Sequence, residues 1–117
     1  MNDVLNVVTY HLSGIKNPKK GVDLADVFDA FSYMELMWME ALEFCERGGD
    51  GAMIESGATE MNGSLPVNPS GGVLSAHPVI AAGLVRIAEA VLQLRGEACA
   101  WQVEGAQVTE PPAEPEA

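Results

Sequence analysis

The sequence predicts one α/β domain in which helices flank a small mixed sheet. Apolar residues at helical spacing recur along the chain, and between them lie short runs whose pattern is typical of strands. The chain has 117 residues, of which 48% are hydrophobic and 20% are charged. This length and composition allow one hydrophobic core and no second domain, and they exclude a wholly disordered chain.

The chain is expected to begin with a helix, a turn and a short strand. Residues 3–12 carry apolar side chains at four-residue spacing, which predicts a helix. Residues 17–21, with the sequence Asn-Pro-Lys-Lys-Gly, predict a turn. In residues 22–28 apolar and polar side chains alternate before two apolar residues follow together, and this pattern predicts a strand buried at its end.

The second predicted helix begins at Ser32 and runs to about Cys45. Ser32 is a candidate N-cap, and Glu35 follows it at the spacing of a capping box. One face of this helix is apolar. Its members are Met34, Met37, Trp38, Ala41, Leu42 and Cys45. The glycine-rich residues 47–51 then break the helix.

Residues 52–76 are predicted to be irregular, because glycine and proline recur through the segment. These residues are Gly57, Gly63, Pro66, Pro69, Gly71 and Gly72. Long segments without regular structure are uncommon inside a compact domain, and many of them are functional.

The last predicted helix begins near Pro78 and is ended by Gly96. Its polar residues form one narrow stripe, made of Arg86, Glu89 and Gln93. Because its other sides carry Ile, Val, Leu and Ala, this helix is expected to be buried on most sides. Residues 98–103 then predict a strand.

The charge and the ends of the chain argue against several functions. Seventeen acids against six bases give a net charge of −11, which disfavours binding to nucleic acid. No apolar stretch is long enough for a membrane span, and the N-terminus lacks the pattern of a signal peptide. We therefore expect a cytoplasmic protein with reduced cysteines.

Residues 1–108 are expected to form the domain, and residues 109–117 a disordered acidic tail rich in proline.

Two segments of the second half carry a more specific signal. Residues 67–78 read VNPSGGVLSAHP, and residues 93–103 read QLRGEACAWQV. These segments resemble the NPSGG…HP and QLRGEA…QV signatures of thiolases. Upstream, residues 14–18 (GIKNP), 27–32 (VFDAFS) and 42–48 (LEFCERG) resemble the GI-P turn, the HDCF or HDAF motif and the helix end of the same group. The chain thus resembles part of the C-terminal domain of the thiolase superfamily, in its lipid-transfer or sterol-carrier branch.

The resemblance covers most of residues 9–106 and implies a fold and a chemistry. The fold is a five-layer αβαβα arrangement of two similar halves, of which this chain would be an incomplete C-terminal half. The chemistry is Claisen condensation or thiolysis, with a coenzyme A thioester as substrate and no bound cofactor. His77 matches the catalytic histidine that activates a cysteine of the N-terminal half. The candidate substrate-binding residues are Asn68, Ser70, Gly71 and Gly72.

Several positions depart from the family pattern. Phe28 stands where the motif has a histidine of the oxyanion hole, and Ala30 stands where it has a proton-transferring cysteine. Phenylalanine can neither donate a hydrogen bond to an oxyanion nor take up a proton. Ala76 replaces the glycine before the histidine. Neither cysteine lies in the context of a nucleophile: Cys45 is on the apolar helix face, and Cys99 stands where the family more often has glycine.

Each candidate residue also has a purely structural interpretation. His77 is either a catalytic base or a histidine that packs at a helix start. The glycine-rich loop either shapes a pocket or makes a turn that needs positive φ. Tyr33 is interpreted as a packing residue rather than a replacement for a lost acid. The aspartates at positions 23, 26 and 29 lack the glycine and closing glutamate of an EF-hand, so we predict no metal site.

Three functional hypotheses remain open at this point. The chain is part of a thiolase-like acyltransferase, or of a retro-aldolase-type lipid-transfer protein, that needs a separate N-terminal half for activity. Alternatively, it is a catalytically degenerate module for assembly or for binding acyl-CoA or lipid. The third hypothesis is a remnant of a longer gene. The expected partners are acyl-CoA, a thiolase-fold chain or a second copy, and, in the lipid-transfer branch, a small zinc-ribbon and OB-fold protein.

Overall fold

A computed structural model describes residues 12–76 and 79–107, with Val79 described by its backbone alone. Nearly all of the helix expected over residues 3–12, the tail expected over residues 109–117, His77 and Pro78 lie outside the described residues. Within them lie five complete α-helices and two 3-10 turns. The helices are α1 (Pro18–Gly21), α2 (Ser32–Ala41), α3 (Asp50–Glu55), α4 (Gly72–Ala76) and α5 (Ala82–Arg95), and the 3-10 turns are Val79–Ala81 and Cys99–Trp101.

The strand expected over residues 22–28 is replaced by one parallel bridge between Ala25 and Val67. The Ala25 N–H donates to the carbonyl of Pro66 at 2.9 Å, and the Asn68 N–H donates to the carbonyl of Ala25 at 2.8 Å. The pairing goes no further because Asn68 has a φ of 48°, and a left-handed residue turns an extended chain away from its neighbour.

The strand expected over residues 98–103 is also wrong. Cys99–Trp101 form a 3-10 turn, and Cys99 has a φ of 54°, which an extended strand does not allow. A positive φ favours glycine, the residue that the thiolase pattern more often has at this position. No continuous strand occurs in the described part of the chain, so the small mixed sheet stays a prediction.

The hydrophobic core lies between the Ala25–Val67 bridge, α2 and α3. Met39 and Leu65 are fully buried. The whole cluster consists of Ala25, Val27, Met39, Phe44, Met53, Leu65 and Val67. Full burial of a large apolar side chain stabilises a fold by about 1.5–3 kcal/mol. This cluster therefore fixes the bridge against the two helices.

Helix α2 differs from its prediction at both ends. Phe31 is the N-cap and makes no side-chain capping bond, so the capping box expected from Ser32 and Glu35 does not form. The helix ends at Ala41 because Glu43 adopts a φ of 61°. The Phe44 N–H then donates to the Met39 carbonyl at 3.0 Å, which is the longer bond of a Schellman motif.

The same motif explains which side chains of α2 are buried. In a Schellman motif the residue after the left-handed one packs against the third residue from the helix end. These residues are Phe44, 3% exposed, and Met39, 0% exposed. The predicted apolar face was therefore only partly right: Trp38 packs against the core, whereas Met37 is 62% exposed.

Two matched substitutions test these helix ends. Helix α5 ends in the same way at Gly96, which has a φ of 69°. This conformation is strained for glutamate and alanine but not for glycine. Glu43→Gly should therefore raise the free energy of unfolding by up to about 1 kcal/mol, and Gly96→Ala should lower it by about 1 kcal/mol. Urea denaturation of both variants measures the two effects. If both substitutions changed the free energy of unfolding in the same direction, backbone strain would not decide the stability of these helix ends.

Two segments expected to be irregular contain helix. Residues 17–21 include one helical turn, α1, because Pro18 fixes φ at the first position and the Gly21 N–H donates to the Asn17 carbonyl at 2.8 Å. Residues 52–76 contain the end of α3 and the whole of α4. The prediction of irregular structure holds for the part between these two helices.

Helix α5 presents its polar stripe to the protein and its apolar side to solvent. Arg86 and Gln93 are buried, whereas Leu84 and Ile87 are 74% and 63% exposed. The expectation that this helix is buried on most sides is therefore wrong for the described residues. Its end at Gly96 is confirmed. None of the helices in the described part is long and apolar enough to cross a membrane.

Candidate functional site

The candidate site lies where residues 27–29 meet residues 68–73, a contact that we call the loop junction. Two hydrogen bonds cross it in opposite directions. The Val27 N–H donates to Asn68 Oδ1 at 2.9 Å, and the Val73 N–H donates to Asp29 Oδ1 at 2.6 Å. The first bond follows directly from the Ala25–Val67 bridge, because that bridge brings Val27 beside Asn68. The junction thereby joins two of the segments singled out in the sequence.

The backbone of the NPSGG loop is shaped by three residues with positive φ. These are Asn68, Gly71 and Gly72, at 48°, 93° and 66°. The Gly71 N–H donates to the Asn68 carbonyl at 2.8 Å and closes a tight turn. A side chain on Gly72 would overlap the carboxylate of Asp29, which lies directly against the glycine Cα. Glycine is therefore required here both for its conformation and for the close approach.

Asp29 fixes the start of α4. It is 2% exposed, and its carboxylate accepts the N–H of the second residue of the helix, as a capping side chain does. A hydrogen bond to an ionised acceptor contributes about 1.5–3 kcal/mol, more than a neutral one. Since α4 ends at Ala76, Asp29 positions the backbone immediately before His77.

Glu35 lies close to the loop junction from α2. Burial raises the pKa of Glu35 above its ordinary value of 4.5, and the negative charge of Asp29 raises it further, while hydrogen bonding to the side chain of Asn68 opposes both effects. The Nδ2 atom of Asn68 is itself buried and makes no hydrogen bond of ordinary geometry. The junction thus holds two acidic side chains, of which Glu35 gains a proton more readily than an exposed glutamate, and one amide.

The raised pKa of Glu35 makes a testable prediction for stability. Between the pKa of Glu35 in the unfolded chain and its higher pKa in the folded chain, the folded state binds more protons, so stability falls as the pH rises through this range. Glu35→Gln should therefore be more stable than the wild type at pH 7, and the difference should shrink below pH 4.5. Denaturant unfolding at several pH values measures this.

The control is Glu46→Gln, which removes the same charge at an exposed position. It corrects for the general relief of repulsion in a chain of net charge −11. A pH dependence that is equal in the two variants would contradict the assignment to burial at the junction.

The predicted site residues differ in how far they are buried, and one of them is not described. Asn68 and Gly72 are buried in the loop junction, Ser70 is half-buried and Gly71 is exposed. His77 lies outside the described residues, so its position stays a prediction. The side chain of Asn68 is bonded to the backbone of Val27, which gives it a structural task whatever else it does.

Sequence reasoning missed Asp29 and misread Glu35. Asp29 stands between Phe28 and Ala30, the two positions that drew attention because they depart from the thiolase motif. The sequence feature that could have indicated Asp29 is an acidic residue in one motif and, in the other, a glycine-rich loop before a helix whose first N–H groups need an acceptor. Glu35 was assigned to a capping box, and its approach to the junction depends on how α2 packs.

The other candidate groups have environments that do not favour a catalytic role. Burial raises the pKa of the Cys45 thiol, with the charges of Asp50 and Glu40 adding to the effect, which does not favour a nucleophilic thiolate. Cys99 is exposed. Tyr33 is 56% exposed, and its ring stacks on that of Phe31 at 5.9 Å.

Metal binding has no candidate in the part of the chain that the structure describes. Within residues 12–76 and 79–107, no three His, Cys, Asp or Glu side chains are grouped to hold an ion. The aspartates at positions 23, 26 and 29 have separate contacts instead. Asp23 accepts the Gln107 N–H at 2.9 Å, Asp26 faces Arg86 at 3.6 Å and Asp29 caps α4.

A second polar cluster is built from the two glutamines of the QLRGEA…QV segment. Gln93, 1% exposed, donates to the Trp101 carbonyl at 2.7 Å and accepts the Val103 N–H at 2.8 Å. Gln102 donates to Oε1 of Gln93 at 3.1 Å and accepts the Ala98 N–H at 3.0 Å. These bonds hold the chain after α5 against the helix, so this motif is structural in the described residues.

Comparison with known proteins identifies the family. The family model for the thiolase C-terminal domain-like group matches residues 9–110. An acetyl-CoA acetyltransferase of Methanothermobacter thermautotrophicus is 47% identical over 88 residues, which are 74% of this chain and 23% of the relative. Sterol carrier protein 2 of Oryctolagus cuniculus is 42% identical over 100 residues, 85% of this chain and 18% of the relative.

A third relative is a thiolase subunit from another organism. The benzoylsuccinyl-CoA thiolase subunit BbsB of Thauera aromatica is 35% identical over 96 residues, 81% of this chain and 24% of the relative. The chain belongs to the thiolase C-terminal domain family, as its motifs predicted. It spans less than a quarter of the length of each of these three relatives.

Proposed function

We propose that this chain is the C-terminal part of a thiolase-like acyltransferase that forms or cleaves carbon–carbon bonds in CoA thioesters. In this proposal it is active only together with an N-terminal half that carries the nucleophilic cysteine. The observation that carries the proposal is the loop junction. It joins the stretch that resembles HDAF to the stretch that resembles NPSGG, directly before the histidine that matches the catalytic base.

The roles of this chain's residues follow from that arrangement. His77 takes the proton from the partner's cysteine and returns it to the leaving group, which is general acid–base catalysis. The loop of Asn68, Ser70, Gly71 and Gly72 contacts the thioester, and the exposed Gly71 lets the backbone approach the substrate closely. Asp29 is a positioning residue, because it acts through α4 on the segment that carries His77.

The test is an assay of acetoacetyl-CoA thiolysis with free coenzyme A. The purified chain is mixed with N-terminal halves of thiolases that carry the cysteine, and each component is also assayed alone. We expect activity only in a mixture, and a loss of about 100-fold or more with His77→Ala. His11→Ala, which changes the other histidine of the chain, is the matched control. No activity with any partner, or an unaffected His77→Ala mixture, would overturn the proposal.

A catalytically degenerate module is the second candidate, and Phe28 and Ala30 favour it. Phe28 adjoins Asp29 at the loop junction and is 38% exposed, so an apolar ring occupies the position of a hydrogen-bond donor. Such a module would bind acyl-CoA or support assembly without turnover. Titration with a CoA thioester, followed by assay of Phe28→His combined with Ala30→Cys, separates the two candidates. Activity that appears only in the double variant identifies the degenerate module.

The remaining parts of the proposal concern the domain bounds, the substrate, the partners and the location. Residues 1–108 form the partial thiolase domain and residues 109–117 its acidic tail. The acyl substrate is a CoA thioester, and a retro-aldolase of the lipid-transfer type would use the same junction. The partners are a thiolase-fold chain or a second copy, and in the lipid-transfer branch a small zinc-ribbon and OB-fold protein. The proposed location is the cytoplasm.

A further inference from the structure

The lysines of this chain lie together in one short stretch at α1. They are Lys16, Lys19 and Lys20, which make up half of the six basic residues in a chain with seventeen acidic ones. All three are exposed. We call this surface the lysine patch. The arginines are scattered at positions 47, 86 and 95, so the lysine patch is the densest positive charge along the sequence.

The lysine patch has no carboxylate partner among the residues that the structure describes. The ion pairs there join Arg86 to Asp26 and Arg95 to Glu97. Asp23, the acidic residue nearest to the patch in sequence, accepts the backbone N–H of Gln107 at 2.9 Å instead. An exposed positive surface on a protein of net charge −11 attracts anionic groups. The patch is therefore a candidate surface for an anionic ligand.

The bond between Asp23 and Gln107 brings the end of the described range close to the lysine patch. It joins residues 84 positions apart in the chain. Asp23 follows Gly21, the last residue of α1, by two positions. Three peptide units separate Asp23 from Lys20, which limits the distance between their Cα atoms to about 11 Å. The chain that continues from Gln107 therefore starts beside the patch.

That continuation is the acidic tail, residues 109–117, and its charge is complementary to the patch. It carries three carboxylates and no basic residue. The carboxylates belong to Glu110, Glu114 and Glu116. Prolines at positions 111, 112 and 115 favour an extended polyproline II backbone, which rises about 3.1 Å per residue. The contour from Gln107 is then roughly 9 Å to Glu110 and roughly 28 Å to Glu116, so each carboxylate can reach the patch.

Electrostatics favours the patch over the rest of the surface as the position of the tail. Residues 1–108 contain fourteen acids and six bases, a net charge of −8, so most of that surface repels a further carboxylate. Single exposed ion pairs are weak. A short tether raises the effective concentration of the tail at the patch to about the millimolar range, which strengthens the sum of several weak pairs.

We propose that the acidic tail docks on the lysine patch of the same chain, where its three glutamates pair with the three lysines. The docked tail cancels the charge of the patch and extends the contact that begins at the Asp23–Gln107 bond. Any other polyanion then has to displace the tail to bind there. The proposal is independent of the proposed enzymatic function, because neither segment belongs to the loop junction.

Zero-length cross-linking of the full chain tests the proposal. A water-soluble carbodiimide joins a carboxyl to an amine at ion-pair distance, and mass spectrometry of the digested monomer identifies the linked residues. We expect links between the tail glutamates and the patch lysines at about 0.01 M salt. At about 1 M salt the links should fall at least tenfold, because the Debye length drops from about 30 Å to about 3 Å.

Two variants make the test specific for these charges. A charge-exchange variant should keep the links and their dependence on salt, with the amine now on the tail and the carboxyl on the patch. Its substitutions are Lys16→Glu, Lys19→Glu, Lys20→Glu, Glu110→Lys, Glu114→Lys and Glu116→Lys. The matched control removes three exposed acids elsewhere and should leave the links unchanged. Its substitutions are Glu46→Gln, Glu55→Gln and Glu60→Gln. Circular dichroism checks that both variants fold like the wild type.

Three outcomes overturn the proposal. The first is the absence of links between the tail and the patch at low salt. The second is an equal yield of links at both salt concentrations, which would show that the tail is only tethered nearby. The third is the appearance of these links only in covalent dimers, which would assign the patch to the tail of a second copy.

Discussion

Gly72→Ala is expected to lower the free energy of unfolding by roughly 3 kcal/mol. The new Cβ would overlap the carboxylate of Asp29, and alanine at a φ of 66° is strained. Left-handed backbone costs about 1–2 kcal/mol for a residue with a Cβ, and overpacking costs a further 1–3 kcal/mol. The damage falls on the Asp29–Val73 bond and therefore on the start of α4. Denaturant unfolding measures the loss.

A double-mutant cycle assigns that loss to the overlap with Asp29. Asp29→Ala alone removes the acceptor of the buried Val73 N–H and should cost about 1–3 kcal/mol. In the presence of Asp29→Ala, Gly72→Ala should cost clearly less than in the wild type, because its main clash is gone. Strictly additive effects of the two substitutions would contradict the close contact.

Gly51→Ala is the matched control for Gly72→Ala. Gly51 lies in α3, and a Cβ there meets no other atom within 4 Å. Alanine is the better helix former, so this variant should gain about 0.5–1 kcal/mol. A gain at Gly51 and a loss at Gly72 separate the local requirement for glycine from a general effect of the substitution.

Gln93→Ala is expected to cost about 2–4 kcal/mol. It leaves the buried Val103 N–H without an acceptor and removes the donor to the Trp101 carbonyl, and each lost partner of a buried group costs about 1–3 kcal/mol. The segment after α5 should loosen, because the bond to Gln102 is lost as well. Thermal unfolding measures the stability, and the fluorescence of Trp101 reports on the segment.

Two further variants define the role of Gln93. Gln93→Glu keeps an acceptor for the Val103 N–H, and at low pH its neutral carboxyl also has an O–H that can donate to the Trp101 carbonyl. It should therefore lose less stability than Gln93→Ala at low pH. Gln107→Ala makes the same change as Gln93→Ala at an exposed residue and should be nearly neutral. A large effect at Gln107 would contradict the assignment to burial.

The two longer helices, α2 and α5, could be anticipated from local patterns, whereas the short helices α1, α3 and α4 and the outcome of the expected strands could not. The 3.6-residue period of α2 and α5 and the stop at Gly96 depend on neighbours in sequence, so a window of ten residues contains the information. Residues 22–28 and 98–103 have strand-like patterns, but a strand also needs a partner chain. Positive φ at Asn68 and Cys99 prevents continuous pairing in the described residues.

The candidate site could be located from sequence, but its working contacts could not. The NPSGG loop and the VFDAF stretch were identified because their letters resemble thiolase motifs. That Asp29 caps α4 depends on a bond between residues 44 positions apart in the chain. Glu35 is likewise far along the chain from Asn68, and the bridge and α2 bring these two residues together. No local pattern encodes such a distance.

The sequence by itself determined the family, the two longer helices and the glycines of the loop, because motifs and backbone preferences are local properties of the chain. Only the tertiary structure decided which side of α5 faces the protein. A hydrophobic pattern predicts that the apolar side of a helix is buried, but it does not identify the residues that cover it. In this chain the bonds of Gln93 and the ion pair of Arg86 hold the polar side inward, and the apolar side faces solvent.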